Sequence, residues 1–299
     1  MNPFFSVIIP VYNGEKFIER AINSVINQSY EKFEIIVIDN CSTDSTREIV
    51  NKLSNCDSRI KLKKIHQKGR SLARNYGIDK SIGNYILFLD ADDEIKPELF
   101  KNLIGENFDF AYFKVNYISN NKVIKTIELP KENKIKKKII YGNIFPINSV
   151  VISKKMIDKA RFPENIDYCE DWYFWKEILW DKSINMIVKS FDFVGGIVNI
   201  HNNNTSGDNY LMKRQEYKYL VEFSRVHNKF NIVSNLRILS LANNPNYNFK
   251  KIEDIELSTF IKFSNKFLEL NICQKILKSY FDNKKNIYLY ENEREINNE

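Results

Sequence analysis

Three aspartates close together in the sequence are the first residues whose type and spacing indicate chemistry. Asp90, Asp92 and Asp93 lie in the run DADDE. Carboxylate oxygens are hard ligands, and no histidine or cysteine lies nearby in the sequence, so the group favours Mg²⁺ or Mn²⁺ over zinc. An alternative interpretation makes residues 92–94 a solvated loop that favours the N-terminus of a helix near Pro97.

A second acidic group, Glu170 and Asp171, opens the aromatic segment EDWYFW. The pair is suited to proton transfer, but two acids at the start of a helix also cap it. Trp172 and Trp175 are spaced so that they either stack on sugar rings or pack in the core. We expect Trp175 in the core and leave both interpretations open for Trp172.

The elements that position these acids are legible in the first hundred residues. Segments rich in β-branched and aromatic residues predict strands buried on both faces, at residues 5–11, 33–39 and 85–90, with a weaker strand at 60–66. Apolar residues at helical spacing predict helices in residues 15–27, 43–53 and 71–81, and Ser45 with Glu48 forms a capping-box pattern. The order is βαβαβαβ, which implies a parallel sheet with right-handed crossovers.

The predicted sheet brings separate acids together. Asp39 closes the second strand, and the aspartate run closes the fourth, so both lie at the carboxyl edge where such folds bind ligands. Carboxylates gathered in a low-dielectric crevice repel one another unless cations or hydrogen-bond donors compensate. The presence of Asp39 at the same edge therefore favours the interpretation that these carboxylates bind a divalent metal or the hydroxyl groups of a ligand.

Four segments in unbroken order resemble the donor-binding half of family 2 glycosyltransferases: SVIIPVYNGEKFIERAINSVINQS, FEIIVIDNCSTDST, GRSLARNYGI and GNYILFLDADD. The resemblance implies an α/β protein with the GT-A fold, a Rossmann-like, mostly parallel sheet flanked by helices. It also implies an inverting transferase that uses a nucleotide-diphosphate sugar, a UDP-sugar by expectation, with Mn²⁺ or Mg²⁺. The acceptor would be a glycan or glycolipid hydroxyl in the synthesis of bacterial capsule, lipopolysaccharide or lipooligosaccharide.

The resemblance also assigns site residues. By it, the loop after the first strand lines the base and ribose, Asp39 accepts a hydrogen bond from the base, and a later segment packs against the nucleoside. The metal and ribose motif follows, with Asp93 mainly on the metal and Asp92 on the ribose and metal. The matching donor-site positions are Pro10, Val11, Tyr12, Glu15, Asp39, Gly69, Arg74, Asn75, Asp90, Ala91, Asp92 and Asp93. An alternative interpretation makes Arg74 a helix-surface ion-pair partner.

The acceptor half has fewer landmarks. An inverting reaction needs a base apart from the metal, and the resemblance places it in the acidic pair, with Asp171 as the base and Glu170 as the alternative. The segment IVNIHNNNTSG resembles a loop that closes over the donor diphosphate, and His201 is its metal-binding candidate, ahead of Thr205 and Ser206. Residues 108–117 and 123–129 predict a hairpin that shapes the acceptor cleft.

Composition excludes several classes of protein. The 299 residues include 43% hydrophobic residues, which suffices for a core, and a net charge of +7 that suits anionic partners. Four cysteines without a C-x-x-C pair indicate reduced thiols in a cytoplasmic protein and argue against zinc. The N-terminus lacks signal-peptide features, and no apolar run is long enough to span a bilayer, so any membrane contact would be peripheral.

We expect a catalytic domain at residues 1–207, with nucleotide-sugar-binding and acceptor-binding halves at 1–103 and 104–207. A helical C-terminal extension follows at 208–299, with amphipathic helices at 212–230 and 252–281. The first of these helices is basic, so it is either a solvated surface or a contact with anionic lipid.

Two other functions stay open at this stage. A nucleotidyltransferase of similar α/β layout usually begins with a glycine-rich phosphate loop, whereas the first turn here has only Gly14. A non-catalytic sugar-binding module would not need carboxylates at every expected place. Nucleic-acid binding is not expected, because no aromatic and basic motif of that kind is present.

Overall fold

The structure, a computed structural model, describes residues 3–139, 142–158, 160–166, 168–180, 185–201, 212 and 214–216. The chain divides into two compact units, Met1–Lys136 with Phe145–His201 and Lys137–Ile144 with Asn202–Glu299. The predicted C-terminal helices lie outside the described residues, apart from Met212 and residues 214–216, which are helical. The predicted domain boundary after residue 207 stays a prediction.

The first half of the first unit is the predicted alternation of strands and helices. Its elements are β1 (Phe5–Val11), α1 (Ile18–Ile26), β2 (Phe33–Asp39), α2 (Thr46–Cys56), β3 (Ile60–Lys64), α3 (Arg70–Lys80) and β4 (Tyr85–Phe88). The strands pair in parallel in the order β3-β2-β1-β4. Every residue of β1 and β2 is buried, which explains their uninterrupted apolar sequences.

The second half extends the same sheet with mixed pairing. Its elements are β5 (Glu94–Ile95), α4 (Leu99–Leu103), β6 (Phe110–Ser119), β7 (Lys122–Ile127), α5 (Glu132–Lys138), β8 (Val150–Ser153), α6 (Lys154–Ile157), α7 (Glu170–Trp180) and β9 (Val188–Asn199). Strand β8 is antiparallel to β4 and β6, while β9 runs parallel to β6. Over the described residues the order is β3-β2-β1-β4-β8-β6-β9-β5, with β7 on β6.

The core lies where helices cover the sheet. Helix α1 buries Ile18, Ala21, Ile22 and Val25, a spacing that forms one apolar stripe. Both Trp172 and Trp175 are buried. The prediction for Trp175 is confirmed, and Trp172 has no exposed face on which a sugar ring stacks.

Two local predictions have different outcomes. The hairpin is confirmed as β6 and β7, joined by Asn120 and Asn121, whose φ angles of 48° and 59° are typical of a tight two-residue hairpin turn. The capping box is wrong, because Ser45 makes no side-chain cap hydrogen bond. Its backbone (φ −74°, ψ 7°) is not the extended conformation a cap needs, and Asp44 instead accepts from the Thr46 N–H at 3.1 Å.

The helices among the described residues are too short, or not apolar enough, to cross a membrane. The described cysteines Cys41, Cys56 and Cys169 are free thiols, as expected.

Helix α3 approaches β1 closely at Gly77, which generates a stability prediction. A Cβ at this position would lie 2.4 Å from Ile8 Cγ2. Gly77→Ala should therefore destabilise the protein by about 1–3 kcal/mol, although alanine normally favours a helix. Denaturant unfolding measures this, with Asn51→Ala on the exposed side of α2 as the control that should change little. A Gly77→Ala variant as stable as the parent would contradict the packing of α3.

Candidate active site

Polar groups gather around Asp39 at the carboxyl ends of β1 and β2. Val11 and Asp39 are partners in the sheet register, and the chain beyond each strand turns away at the same edge. Asp39 is buried, and its Oδ1 accepts a hydrogen bond from the Ser42 N–H at 3.0 Å. Its Oδ2 has no hydrogen-bond donor among the described residues, and Arg47 Nε lies 3.7 Å away. Asp39 thus offers a buried acceptor, as a base-binding carboxylate must.

The loop after β1 is held by the start of α2. Pro10 and Val11 are the last residues of β1, which confirms the strand predicted at residues 5–11, and both are buried. Tyr12 is exposed, and Lys68 Nζ lies 3.5 Å from its ring centroid. Glu15 accepts a hydrogen bond from the Ser45 N–H at 3.1 Å. Glu15 therefore fixes this loop to α2, whereas Tyr12 presents a ring to solvent.

The segment that leads into α3 is held by hydrogen bonds within the protein. Gly69 donates its N–H to Asn40 Oδ1 at 2.8 Å, which holds the loop next to the end of β2. Asn75 donates to the carbonyl oxygen of Phe162 and accepts from its N–H, both at 2.9 Å, and it also bonds Glu164. Asn75 therefore anchors residues 162–164, and its predicted nucleoside contact stays a prediction.

The three aspartates after β4 converge as expected. Asp90, Asp92 and Asp93 each offer a carboxylate oxygen within 4.8 Å of the others. Asp93 is buried and accepts from the Asn199 N–H at 3.0 Å and from Asn148 Nδ2 at 3.4 Å. A solvated loop is therefore excluded for this carboxylate.

Burial and mutual repulsion make the ionised form of these carboxylates unfavourable. Burial, and then repulsion from Asp92 and Asp90, raises the pKa of Asp93 well above its ordinary value. Burial and Asp90 also raise the pKa of Asp92. A divalent cation would relieve both effects, and three hard oxygen donors in one place fit Mn²⁺ or Mg²⁺.

Strand β9 delivers a histidine to this cluster. His201 Nε2 lies 3.0 Å from Asp92 Oδ2, and its ring stacks on Phe17 with centroids 4.5 Å apart. Asn199 Nδ2 donates to the Asp92 carbonyl oxygen at 2.9 Å, which fixes the end of β9 against the acidic loop. The structure thus places His201 beside the metal candidates. Thr205 and Ser206 lie outside the described residues.

Asn148 and Asn199 are the polar partners of Asp93 that sequence reasoning missed. Each is one asparagine in a chain rich in this residue, and no motif marks either position. Only the pairing of β9 with β5 and the turn before β8 bring them to the cluster.

The acidic pair at the start of α7 divides into two environments. Glu170 is buried, with Oε1 2.6 Å from Arg74 Nη1 and 3.4 Å from Arg70 Nη1. Asp171 is half-buried, and its Oδ1 accepts from the Trp172 N–H at 2.8 Å. Glu170 is thus engaged in an internal ion pair, while Asp171 retains access to solvent.

Arg74 connects the two acidic groups. Its side chain is only 2% exposed, so it is not a helix-surface residue, and its Nη2 lies 2.8 Å from Asp90 Oδ1 while Nη1 holds Glu170. Burial by itself would lower the pKa of Arg74, but Asp90 and Glu170 raise it above its ordinary value. One permanently charged guanidinium therefore ties the aspartate cluster to the start of α7.

Comparison with known proteins agrees with this geometry. Residues 6–164 match Glycosyl transferase family 2. The Escherichia coli protein "UDP-Glc:alpha-D-GlcNAc-diphosphoundecaprenol beta-1,3-glucosyltransferase WfgD" is 30% identical over 227 residues, which are 73% of this chain and 85% of the relative. An uncharacterized glycosyltransferase of Haemophilus influenzae is 33% identical over 192 residues, 59% of this chain and 72% of the relative.

Solved structures share the fold. Staphylococcus aureus TarS residues 1–349 with UDP-GlcNAc has a TM-score of 0.63 at 23% identity, covering 80% of this chain and 72% of that one. Mannosyltransferase PcManGT from Pyrobaculum calidifontis, in complex with GDP-Man and Mn²⁺, has a TM-score of 0.56 at 14% identity, covering 97% and 89%. The fold and the site define a glycosyltransferase of GT-A type. The chain belongs to glycosyl transferase family 2.

The buried position of Arg74 predicts an unusually costly substitution. Arg74→Met leaves Glu170 in the interior without its main cation and should destabilise the protein by about 3–5 kcal/mol. Lys101→Met, which removes a surface pair with Glu98, is the control and should leave the unfolding midpoint nearly unchanged. The double variant Arg74→Met/Glu170→Met should recover part of the loss, since no lone charge remains buried. Equal midpoints for Arg74→Met and the parent would contradict this role.

Proposed function

We propose that this protein transfers a sugar from a UDP-sugar to a hydroxyl of a glycan or glycolipid acceptor, with inversion, in the synthesis of bacterial surface polysaccharide. The observation that carries the proposal is the link through Arg74, which joins a metal-type aspartate cluster to an acidic pair suited to proton transfer. A glycosyl transfer needs both groups in one site. A nucleotidyltransferase does not need the acidic pair, and a binding module needs neither the acidic pair nor the aspartate cluster.

Relatives support the choice of donor and acceptor. WfgD, by its name, takes glucose from UDP-glucose to a sugar on a diphosphoundecaprenol carrier. Two further relatives are named as a teichuronic acid biosynthesis glycosyltransferase, TuaG of Bacillus subtilis, and a poly(ribitol-phosphate) β-N-acetylglucosaminyltransferase, TarS. The names of these relatives refer to a lipid-linked sugar, teichuronic acid and poly(ribitol-phosphate), so a polymer or lipid-linked saccharide is the proposed acceptor.

The nucleotide would occupy the pocket at the carboxyl ends of β1 and β2. The buried Asp39 Oδ2 is an acceptor that the ring N–H of uracil satisfies, and the Tyr12 ring offers a stacking face once Lys68 moves from it. The Gly69 loop, bonded to Asn40, borders this end of the sheet on the α3 side.

Asp93 and Asp92 would hold the divalent metal, Asp92 would also contact the ribose, and His201 is a further candidate ligand. A metal held there would supply positive charge that stabilises the leaving diphosphate. Asn148 and the Asn199 N–H orient the Asp93 carboxylate by their hydrogen bonds. His201 Nε2 lies 3.0 Å from Asp92 Oδ2 and so orients the Asp92 carboxylate as well.

Asp171 is the proposed general base. An inverting transfer forms the new bond on the face opposite the leaving diphosphate, while the acceptor hydroxyl gives its proton to the enzyme. Glu170 is buried and bound to Arg74, so a proton on it would break an internal ion pair. Asp171 is half-buried at the start of α7, where the helix N-terminus favours its ionised form. Glu170 thereby acts as the group that positions α7.

Metal dependence is tested by nucleotide release. Incubation with UDP-sugars and Mn²⁺ should release UDP slowly, and faster with a saccharide acceptor, whereas EDTA should stop release. Asp93→Asn should abolish release and Mn²⁺ binding, measured by calorimetry, yet leave the metal-free protein at least as stable, because it removes a buried, repelled carboxylate. Turnover with EDTA present, or by Asp93→Asn, would refute the metal assignment, and pyrophosphate-dependent exchange would favour the nucleotidyltransferase.

The base is tested by separate isosteric changes. Asp171→Asn should lower kcat by about two to four orders of magnitude while the affinity for UDP stays normal, because the nucleotide pocket lies elsewhere in the sheet. Glu170→Gln should lower stability as well as activity, since it leaves Arg74 with a neutral partner on that side. Normal turnover by Asp171→Asn, with a stable but inactive Glu170→Gln, would reverse the two roles.

A further inference from the structure

The hairpin of β6 and β7 ends in an exposed apolar tip. We define the tip as residues 118–125. Val123 and Ile124 are 55% and 46% exposed, unlike the other strand residues of their size, most of which are buried. The half-buried Ile118 is the cross-strand partner of Val123, and Ile124 is the extra residue of a bulge in β7. Adjacent apolar side chains left in water at a protruding turn indicate a contact surface.

Lysines flank the apolar residues, and the tip contains no acid. Lys122 and Lys125 enclose Val123 and Ile124 in the run KVIK, and neither lysine forms an ion pair with a described residue. By contrast, Lys114, which lies in the middle of β6 and away from the tip, is paired with Glu128 and Asp192. An apolar wedge between uncompensated cations complements a surface that is anionic outside and apolar beneath.

The tip lies at the same end of the sheet as the candidate active site. Ile118 is in register with Asn199 of β9, and the Ile200 N–H donates to the Ile118 carbonyl oxygen at 2.8 Å. Asn199 in turn donates to Asp93. Since β7, β6 and β9 are neighbours, Val123 lies two strand spacings, about 10 Å, from Asn199.

We propose that the tip docks this protein on an anionic phospholipid bilayer, with Val123 and Ile124 in the interfacial layer and Lys122 and Lys125 on the headgroups. The inference rests on the proposed function, because an acceptor sugar joined to a lipid by a diphosphate lies close to the headgroups. A site that reaches such a sugar must have a neighbouring surface that tolerates the bilayer. The two asparagines of the turn hold the wedge in a defined conformation, so little order is lost on docking.

The tip is a different part of the chain from the basic segment at 212–230, for which the sequence leaves a solvated surface and a contact with anionic lipid both open. That segment lies outside the described residues apart from Met212 and residues 214–216. Variants changed only in the tip distinguish binding through the tip from binding through the basic segment.

The experiment is sedimentation of the full chain with vesicles of phosphatidylcholine and phosphatidylglycerol in equal parts at low salt, without donor or acceptor. Val123→Ser/Ile124→Ser should weaken binding about tenfold, and Lys122→Gln/Lys125→Gln should weaken it about fivefold per lysine. The matched controls are Ile82→Ser/Ile187→Ser, at exposed apolar residues elsewhere, and Lys52→Gln/Lys63→Gln, at exposed lysines. Both controls should bind as the parent does, and added salt should weaken binding of the parent.

Three results would overturn the proposal. The first is a parent that ignores these vesicles, and the second is tip variants that bind as well as the controls, which would place any binding elsewhere. The third is a dimer of the parent that the tip variants dissociate without lipid, since the tip would then join two copies of the chain. Slow release of UDP without acceptor should be normal in the tip variants, so failure of docking and failure of the proposed function give different results.

Discussion

Arg74 carries a permanent charge into the interior, and the arrangement of the site depends on how that charge is compensated. A buried guanidinium is tolerated only with anionic partners at hydrogen-bond distance. Asp90 supplies one from the loop after β4, and Glu170 supplies the other from the start of α7. Because each partner is needed, the two elements are held at a fixed separation, although Asp90 and Glu170 are far apart in the sequence.

The ion pairs of Arg74 give the acids of the site different environments. Asp90 and Glu170 are paired with Arg74, whereas Asp93 is buried among other carboxylates and its pKa is raised. Asp171 is half-buried at the start of α7 and faces solvent in part. Acids of similar intrinsic strength therefore have different surroundings, because the Arg74 guanidinium forms close ion pairs with Asp90 and Glu170.

The second half of the sheet completes the site with further polar side chains. Strand β9 crosses beside β6 and β5, and its end contributes Asn199 and His201 to the aspartates. The hairpin on the other side of β6 extends past this end of the sheet. The mixed pairing of this half thus supplies both the polar lining of the cluster and its outer rim.

The sequence by itself determined the parallel half of the fold, because strands covered on both faces require uninterrupted apolar runs, and β1, β2 and β4 have them. It also determined that Asp39 and the aspartate run share an edge, since parallel strands place their carboxyl ends together. The capping box at Ser45 failed because a local pattern does not fix the backbone angles of the cap residue.

Only the tertiary structure decided which residues Arg74 contacts, that Trp172 is buried, and that Asn75 binds residues 162–164. It also brought Asn148 and Asn199 to Asp93. Both asparagines are far from Asp93 in the sequence. The antiparallel pairing of β9 with β5 and the turn before β8 bring them to it. Local periodicity records which face of an element is apolar, but it does not record which polar group on another element meets that face.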